Sequence, residues 1–209
     1  MAWTINMIFT SISITSFVIE PSMQEINLDT EMQERLGLKR CNYGLSNCGN
    51  KIPDNLWPRK AFSQTGRKTF PHIIGLAGYY GFSKPLKELV ESLEPGIHDF
   101  RPVEVIRKDL KPAEMQFFAV NINWIVDEAI DFKLSGGIHK QYGSRMNILP
   151  LSNADSGKIF ISRDAVLGKH LWITEEIVGR PLTVSNALFD EMSSQKLLRG
   201  FRGYELREI

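Results

Sequence analysis

Hydrophobic and polar positions change their period along this chain, and each change marks an element. Ile8, Ile12, Ile14 and Val18 fall at even spacing with Thr10 and Ser16 between them, the alternation of a strand. Ser22-Met23-Gln24-Glu25 then has the form of a capping box, in which two side chains satisfy free N–H groups of a first helical turn. A helix is expected from there to Leu36, with Gly37 able to take the left-handed stop. Residues 39–81 lose any period and are rich in Gly, Pro, Asn and Ser, so they read as irregular, with Trp57 and Phe62 anchored on the core. Gly75, Gly78 and Gly81 imitate a phosphate loop, but their order is not that of the dinucleotide fingerprint. A loop needing unusual backbone angles is the plainer reading.

Helical spacing appears after Ser83, which stands where an N-cap should. Pro85 is tolerated in the first turn because its missing N–H would be unpaired there. Leu86, Leu89, Val90 and Leu93 occupy i, i+3, i+4 and i+7 and form one apolar face, and Glu94-Pro95-Gly96 ends the helix. Phe100, Val103, Val105 and Ile106 suggest a strand, and residues 115–122 a second. A polar loop over 135–147 intervenes. Residues 158–162 and 170–174 read as two short strands, joined by a Ser162-capped turn that stops near Gly168.

The end of the chain echoes its middle. Phe82-Ser83-x-x-Leu86-x-x-x-Val90-x-Ser92 matches Val184-Ser185-x-x-Leu188-x-x-x-Met192-x-Ser194, and each is followed by a Gly, an apolar residue and an aromatic. A capped helix followed by a strand, used twice, is one reading. Chance is the other, because a Ser cap with Leu spacing is common. The expectation is an α+β fold: a mixed, mostly antiparallel sheet with helices 83–94 and 185–197 packed on it. An N-terminal extension over 1–44 would precede a main domain over 45–209.

Composition narrows the class. The 209 residues are 43% hydrophobic and 23% charged, enough to bury a sizeable core, and the net charge of +1 argues against a broad basic surface for nucleic acid. Charge is uneven: residues 1–34 carry Glu20, Glu25, Asp29, Glu31 and Glu34 with no Lys or Arg, which permits an acidic patch or simply a solvated segment. Cys41 and Cys48 have neither a disulfide framework nor zinc-ligand spacing, and free thiols in a reducing cytosol are expected. The uncharged start lacks the basic region of a signal peptide, and no apolar run reaches the ~18–20 residues of a membrane span. The expected location is the cytoplasm.

Chemistry is harder to find. No metalloprotease, nucleophile-elbow, Walker or paired-cysteine motif occurs, and His72, His98, His139 and His170 lie far apart, so no metal or cofactor is expected. Asp127 and Asp131 would share one face of a helix, where paired carboxylates can divide acid and base roles, with His98 or His170 as partner. The plainer alternative is that Asp127 caps a turn and Asp131 faces water. Glu175-Glu176 reads as a solvated turn. Arg199, Arg202 and Arg207 alternate with Phe201 and Tyr204, a pattern that can track a nucleic-acid strand but also fits a strand with a polar face.

One resemblance adds to this. Phe82-Ser83-x-x-Leu86 and its helix, followed by Leu93-Glu94-Pro95-Gly96-Ile97-His98-x-Phe100-x-Pro102-Val103-Glu104, resembles a bacterial immunity-protein family of polymorphic toxin systems, the group first defined by a myxobacterial example. Phe117-Phe118-x-Val120-Asn121-Ile122 with Ile125-Val126-Asp127, the run from Ser162-Arg163-Asp164-Ala165 to His170-Leu171-Trp172, and Gly200-Phe201-x-Gly203-Tyr204 extend it over about 45–209. The resemblance implies a cytoplasmic antidote that binds and occludes a cognate toxin protein, without catalytic residues of its own. Trp57, His170 and Trp172 are the candidate partner-binding anchors, since large aromatics at loop or edge positions are enriched at interfaces. The alternative is that both tryptophans are core.

Overall fold

A computed structural model describes residues 1–7, 17–21, 49, 51–76, 78–135, 139–142, 145–148, 156–177 and 181–209. Its elements run β1 (Ala2–Met7), β2 (Phe17–Glu20), a 3-10 turn (Asp54–Leu56), β3 (Lys60–Ser63), β4 (Ile73–Leu76), β5 (Tyr79–Ser83) and α1 (Lys84–Leu93). They continue with β6 (Asp99–Ile106), β7 (Phe117–Asn121), β8 (Ile125–Val126), β9 (His139–Tyr142), β10 (Arg145–Ile148) and β11 (Ile159–Ile161). The last are α2 (Arg163–Val166), β12 (Leu171–Thr174), β13 (Leu182–Ser185), α3 (Asn186–Ser194) and β14 (Phe201–Glu208).

The fold is α+β, as expected. One six-stranded sheet has the order β2-β3-β6-β7-β5-β4 and the other β11-β14-β1-β13-β12-β8, with β9 and β10 as a separate hairpin. Pairing is mostly antiparallel; β3 with β6, β11 with β14 and β8 with β12 are parallel. β5 and β6 both run antiparallel to β7, and are therefore parallel to each other. A parallel pair cannot be joined by a tight turn, and α1 supplies the crossover. β13 and β14 stand in the same relation across β1, with α3 as their crossover.

Three clusters of buried side chains fill the spaces. The middle one lies between the sheets, where Ile73, Phe82 and Val120 of the first meet Ile5, Ile173 and Val184 of the second. Leu86 and Val90 of α1 and Leu188 and Met192 of α3 enter the same cluster, as their spacing predicts. A second cluster covers the first sheet with Trp57, Phe70 and Phe117, and a third gathers Trp172, Ile159, Ile161 and Val126.

Several expectations need correction. The stretch 39–81 is not irregular throughout, since β3, β4 and the start of β5 fall inside it. Gly78, at φ 98, lies in the two-residue connection of the β4–β5 hairpin, where a positive φ suits the turn. Gly75 and Gly81 are instead paired strand positions, and a Cβ at Gly81 would come within 2.7 Å of Ile74. The polar stretch 135–147 contains most of the β9–β10 hairpin backbone. The first strand is β1, which precedes Ile8; the positions Ile8, Ile12 and Ile14, the helix over 22–36, Cys41 and Cys48 lie outside the described residues.

The helix–strand repeat is not established by this arrangement. The two crossovers match in sense, but the first unit is completed by the strand that follows it, β7, and the second by β1 from the other end of the chain. Their caps differ too: Ser185 Oγ accepts the Leu188 N–H at 3.2 Å, whereas Ser83 makes no such side-chain cap.

Candidate functional site

A dense buried polar group forms where α1 stops. Glu94 closes the helix, its N–H donating to Val90 O at 2.9 Å, and Pro95 and Gly96 turn the chain so that His98 returns over Glu94. Glu94 and His98 are 4% and 5% exposed. His98 Nε2 lies 2.9 Å from Glu94 Oε2. His98 Nδ1 accepts the Asn123 N–H at 3.2 Å, which leaves Nε2 as the nitrogen that donates to the carboxylate. Glu94 also accepts the N–H groups of His170 at 2.7 Å and Leu171 at 3.0 Å, at the start of β12.

Three donors thus surround a carboxylate that would be expensive to bury alone. Asn123 carries the network onward, its Nδ2 donating to Ile97 O at 2.9 Å and Asp99 Oδ2 at 3.0 Å. A carboxylate beside an imidazole is the equipment of acid–base catalysis. Here both side chains are sealed from solvent and fully engaged, and they join α1, β6, β7 and β12. The pair ties the end of α1 to the start of β12, a polar contact between the two sheets.

Two further contacts position the helices. His72 Nδ1 sits 2.7 Å from Ser83 Oγ, and the Ser83 N–H donates to His72 O at 2.9 Å. His170 Nδ1 sits 2.8 Å from Ser185 Oγ, and the Ser185 N–H donates to His170 O at 3.0 Å. Burial holds the His72 imidazole below its ordinary pKa. Each pair pins the residue before a helix to the residue before a neighbouring strand.

The sequence-derived candidates are placed as follows. Trp172 is 0% exposed, and its indole N–H donates to Thr174 Oγ1 at 3.1 Å within the buried series Thr4, Thr183 and Thr174. Trp57 is 3% exposed, donates to Ile52 O at 3.3 Å, and lies beneath the Arg101 guanidinium at 5.5 Å. As placed, neither indole offers a ring to solvent. His170 is half-buried and is the member of the three with surface to spare.

Asp127 and Asp131 do not share a helix face. Glu128 between them has φ 56, Asp127 Oδ1 accepts the Glu128 N–H at 3.1 Å, and Asp131 Oδ1 accepts the N–H groups of Lys133 and Leu134, each at 2.9 Å. Asp131 closes its own turn.

Glu176 is a correction of another kind, being 6% exposed where a solvated turn was expected. Its Oε1 accepts from Ala129 N at 2.6 Å and Ile130 N at 3.2 Å, while Oε2 is buried without a partner. Burial raises its pKa, and the Asp127 charge adds to the rise. Among the described residues no three His, Cys, Asp or Glu side chains are grouped as a metal would require.

Residue-by-residue reading took Glu94 only as a helix end and His98 only as a possible partner of Asp127 and Asp131, and did not anticipate their pairing. Their signal was present in the Glu-Pro-Gly-Ile-His run, which carried the resemblance. The sequence profile of the immunity protein family Imm11 matches residues 45–209. The chain belongs to that family. The Imm11 match takes in the structure from the 3-10 turn through β14, including Glu94, His98 and both helix-start serines, and leaves β1 and β2 outside. No curated protein matches the chain.

Proposed function

We propose that this Imm11 protein protects a bacterial cell by binding a cognate toxin in the cytoplasm and masking the toxin's working surface, as an antidote within a polymorphic toxin system. The observation that carries this reading is the family match over 45–209. The burial of the acid–base pair supports it, because Glu94 and His98 are committed to that contact between the sheets and have no access to a substrate. Occlusion asks for a rigid exterior and a few well-placed anchors in a patch of ~800 Å² per partner. Of the three candidate anchors, His170 is the one with exposed surface.

An enzymatic reading built on Asp127 and Asp131 with His98 or His170 would require those groups to converge, and the turn at Glu128 and the sealed position of His98 work against it. Among the described residues no helix is long and apolar enough to cross a membrane. The test is co-expression with the product of the adjacent gene. Growth should be rescued and the two chains should purify together. Absence of both rescue and association would end the proposal.

A further inference from the structure

Three loops from different parts of the fold meet around residues 66–72. The β3–β4 connection contributes Arg67, Lys68 and Pro71, the turn between α3 and β14 contributes Arg199 and Gly200, and the β6–β7 loop contributes Arg107 and Lys108. They are close: a Cβ on Gly200 would lie 3.8 Å from Pro71 Cβ. Between them run adjoining hollows: those of about 320 and 200 Å³ share Lys68, Thr69, Phe70, Pro71 and Arg199, and a third of about 300 Å³, lined by Arg107 and Lys108, shares Arg67 and Lys68 with the first.

The charge here is one-sided. Arg67, Lys68, Arg107, Lys108 and Arg199 face Asp109 and Glu114, so the lining holds an excess of cations in a chain whose whole net charge is +1. Arg107 is already taken, gripping Asp109 through two bonds at 3.0 and 2.9 Å. Lys68 and Arg199 share a hollow with Glu114, while Arg67 and Lys108 line hollows that Glu114 does not. Like charges gathered at one place repel, and an incoming carboxylate relieves that repulsion while gaining attraction of its own.

The aromatic groups decide between kinds of partner. Phe70 and Phe117 line the hollows but are only 7% and 1% exposed, so they form floor and offer no ring on which a base could stack. Flat basic tracks for nucleic acid combine charge with such platforms. Here charge stands alone at the rim of a hollow.

We propose that this cleft is the surface through which the protein grips its partner, and that it receives an acidic segment of that partner, rich in Asp and Glu. The inference rests on the toxin-binding reading above. Opposite charge would speed encounter and fix orientation, with final affinity set by neighbouring contacts.

The test uses the full chain and the triple variant Arg67→Glu/Lys68→Glu/Arg199→Glu, with Lys133→Glu/Lys158→Glu as a control of altered charge outside the cleft. A deca-glutamate peptide is the first probe, with a ten-residue oligothymidine and inorganic phosphate beside it. The wild type should bind the peptide more tightly than either, with affinity falling as salt rises. The triple variant should bind it weaker by on the order of tenfold to a hundredfold, and the control variant should not change. Equal peptide binding by wild type and triple variant, or preference for the oligonucleotide, would overturn the inference. Unchanged thermal unfolding of the triple variant shows that it folds. If it unfolds early, Arg67→Gln/Lys68→Gln is measured instead, with the same expected direction and the same overturning result. The toxin assay separates the two proposals. A wild type that neither rescues nor associates with the toxin defeats toxin neutralisation, whereas rescue by wild type and triple variant alike defeats the cleft and leaves neutralisation standing.

Discussion

Five consecutive strands of each six-stranded sheet can be laid against each other, β4-β5-β7-β6-β3 and β12-β13-β1-β14-β11, leaving β2 beyond β3 in the first and β8 beyond β12 in the second. The sense of pairing agrees at each step: antiparallel three times, then parallel. Both place a crossover helix after a strand ending in Ser, and both tie that Ser to a His. The difference lies in how each is completed. The first sheet takes its middle strand from the next stretch of chain, while the second takes it from residues 2–7, more than 170 positions before β13. The β5-β7-β6 centre of the first sheet is therefore built from neighbouring stretches of chain, whereas the β13-β1-β14 centre of the second needs a pairing across nearly the whole length of the chain.

The largest test of that difference is removal of residues 1–7. β13 and β14 would lose the strand between them, the middle cluster would lose Ile5, and the Trp3–Phe189 stack at 4.2 Å would go. Near-UV circular dichroism should show lost packing, and hydrogen exchange should show β12–β14 unprotected while β5–β7 keep some protection. Equal loss in both sheets would mean that they fold only as one unit.

Glu94 is a buried polar contact between the sheets, beside the apolar cluster they share. Glu94→Ala leaves His98 and two backbone N–H groups buried without an acceptor, and should cost about 3–5 kcal/mol in urea unfolding. Glu94→Gln keeps one acceptor oxygen and should cost less, about 1–3 kcal/mol. If the two substitutions cost the same, the one oxygen that Gln retains does not help, and both carboxylate oxygens are needed as acceptors.

A smaller contrast separates the two serines. Ser185 both caps α3 and contacts His170, whereas Ser83 contacts His72 without capping α1. Ser185→Ala should cost about 1–2 kcal/mol and Ser83→Ala about 1 kcal/mol. Reversal of that order would show that the His72 contact is the stronger one.

What was legible in the sequence cuts across that division. The faces of α1 and α3 and the strands β6, β7, β11 and β12 were readable because their signals are local. β1 was missed because nothing within residues 2–7 announces partners at the far end of the chain. β4 and β5 were hidden by glycines that looked like a loop, although Gly81 is small because Ile74 and Leu76 pack over it. Glu176 was assigned to water for lack of any local sign that Ala129 and Ile130 would present their N–H groups to it. The tryptophans were weighed as interface or core by residue type alone, and only three-dimensional packing fixes their burial.

The mildest effect should be one of pH. Burial raises the Glu176 pKa above the ordinary carboxylate value, so the folded protein holds this proton more tightly than the unfolded chain. Its contribution to stability is greatest at low pH and is lost as pH rises through the window between the ordinary and the raised value. Glu176→Gln should flatten that part of a stability–pH curve measured by urea unfolding, and an unchanged curve would show that another group titrates there. His72 acts with the opposite sign: its pKa is lowered, so its contribution is present at higher pH and lost as pH falls below the ordinary histidine value.

The most direct test of the whole account is a titration of the purified toxin's activity with the purified chain. Neutralisation by occlusion predicts a linear fall that reaches its floor at a fixed whole-number ratio of the two proteins, with the toxin's mass unchanged and its activity regained on dissociation. Complete inactivation by a small fraction of an equivalent, or full toxin activity in molar excess of the chain, would contradict it.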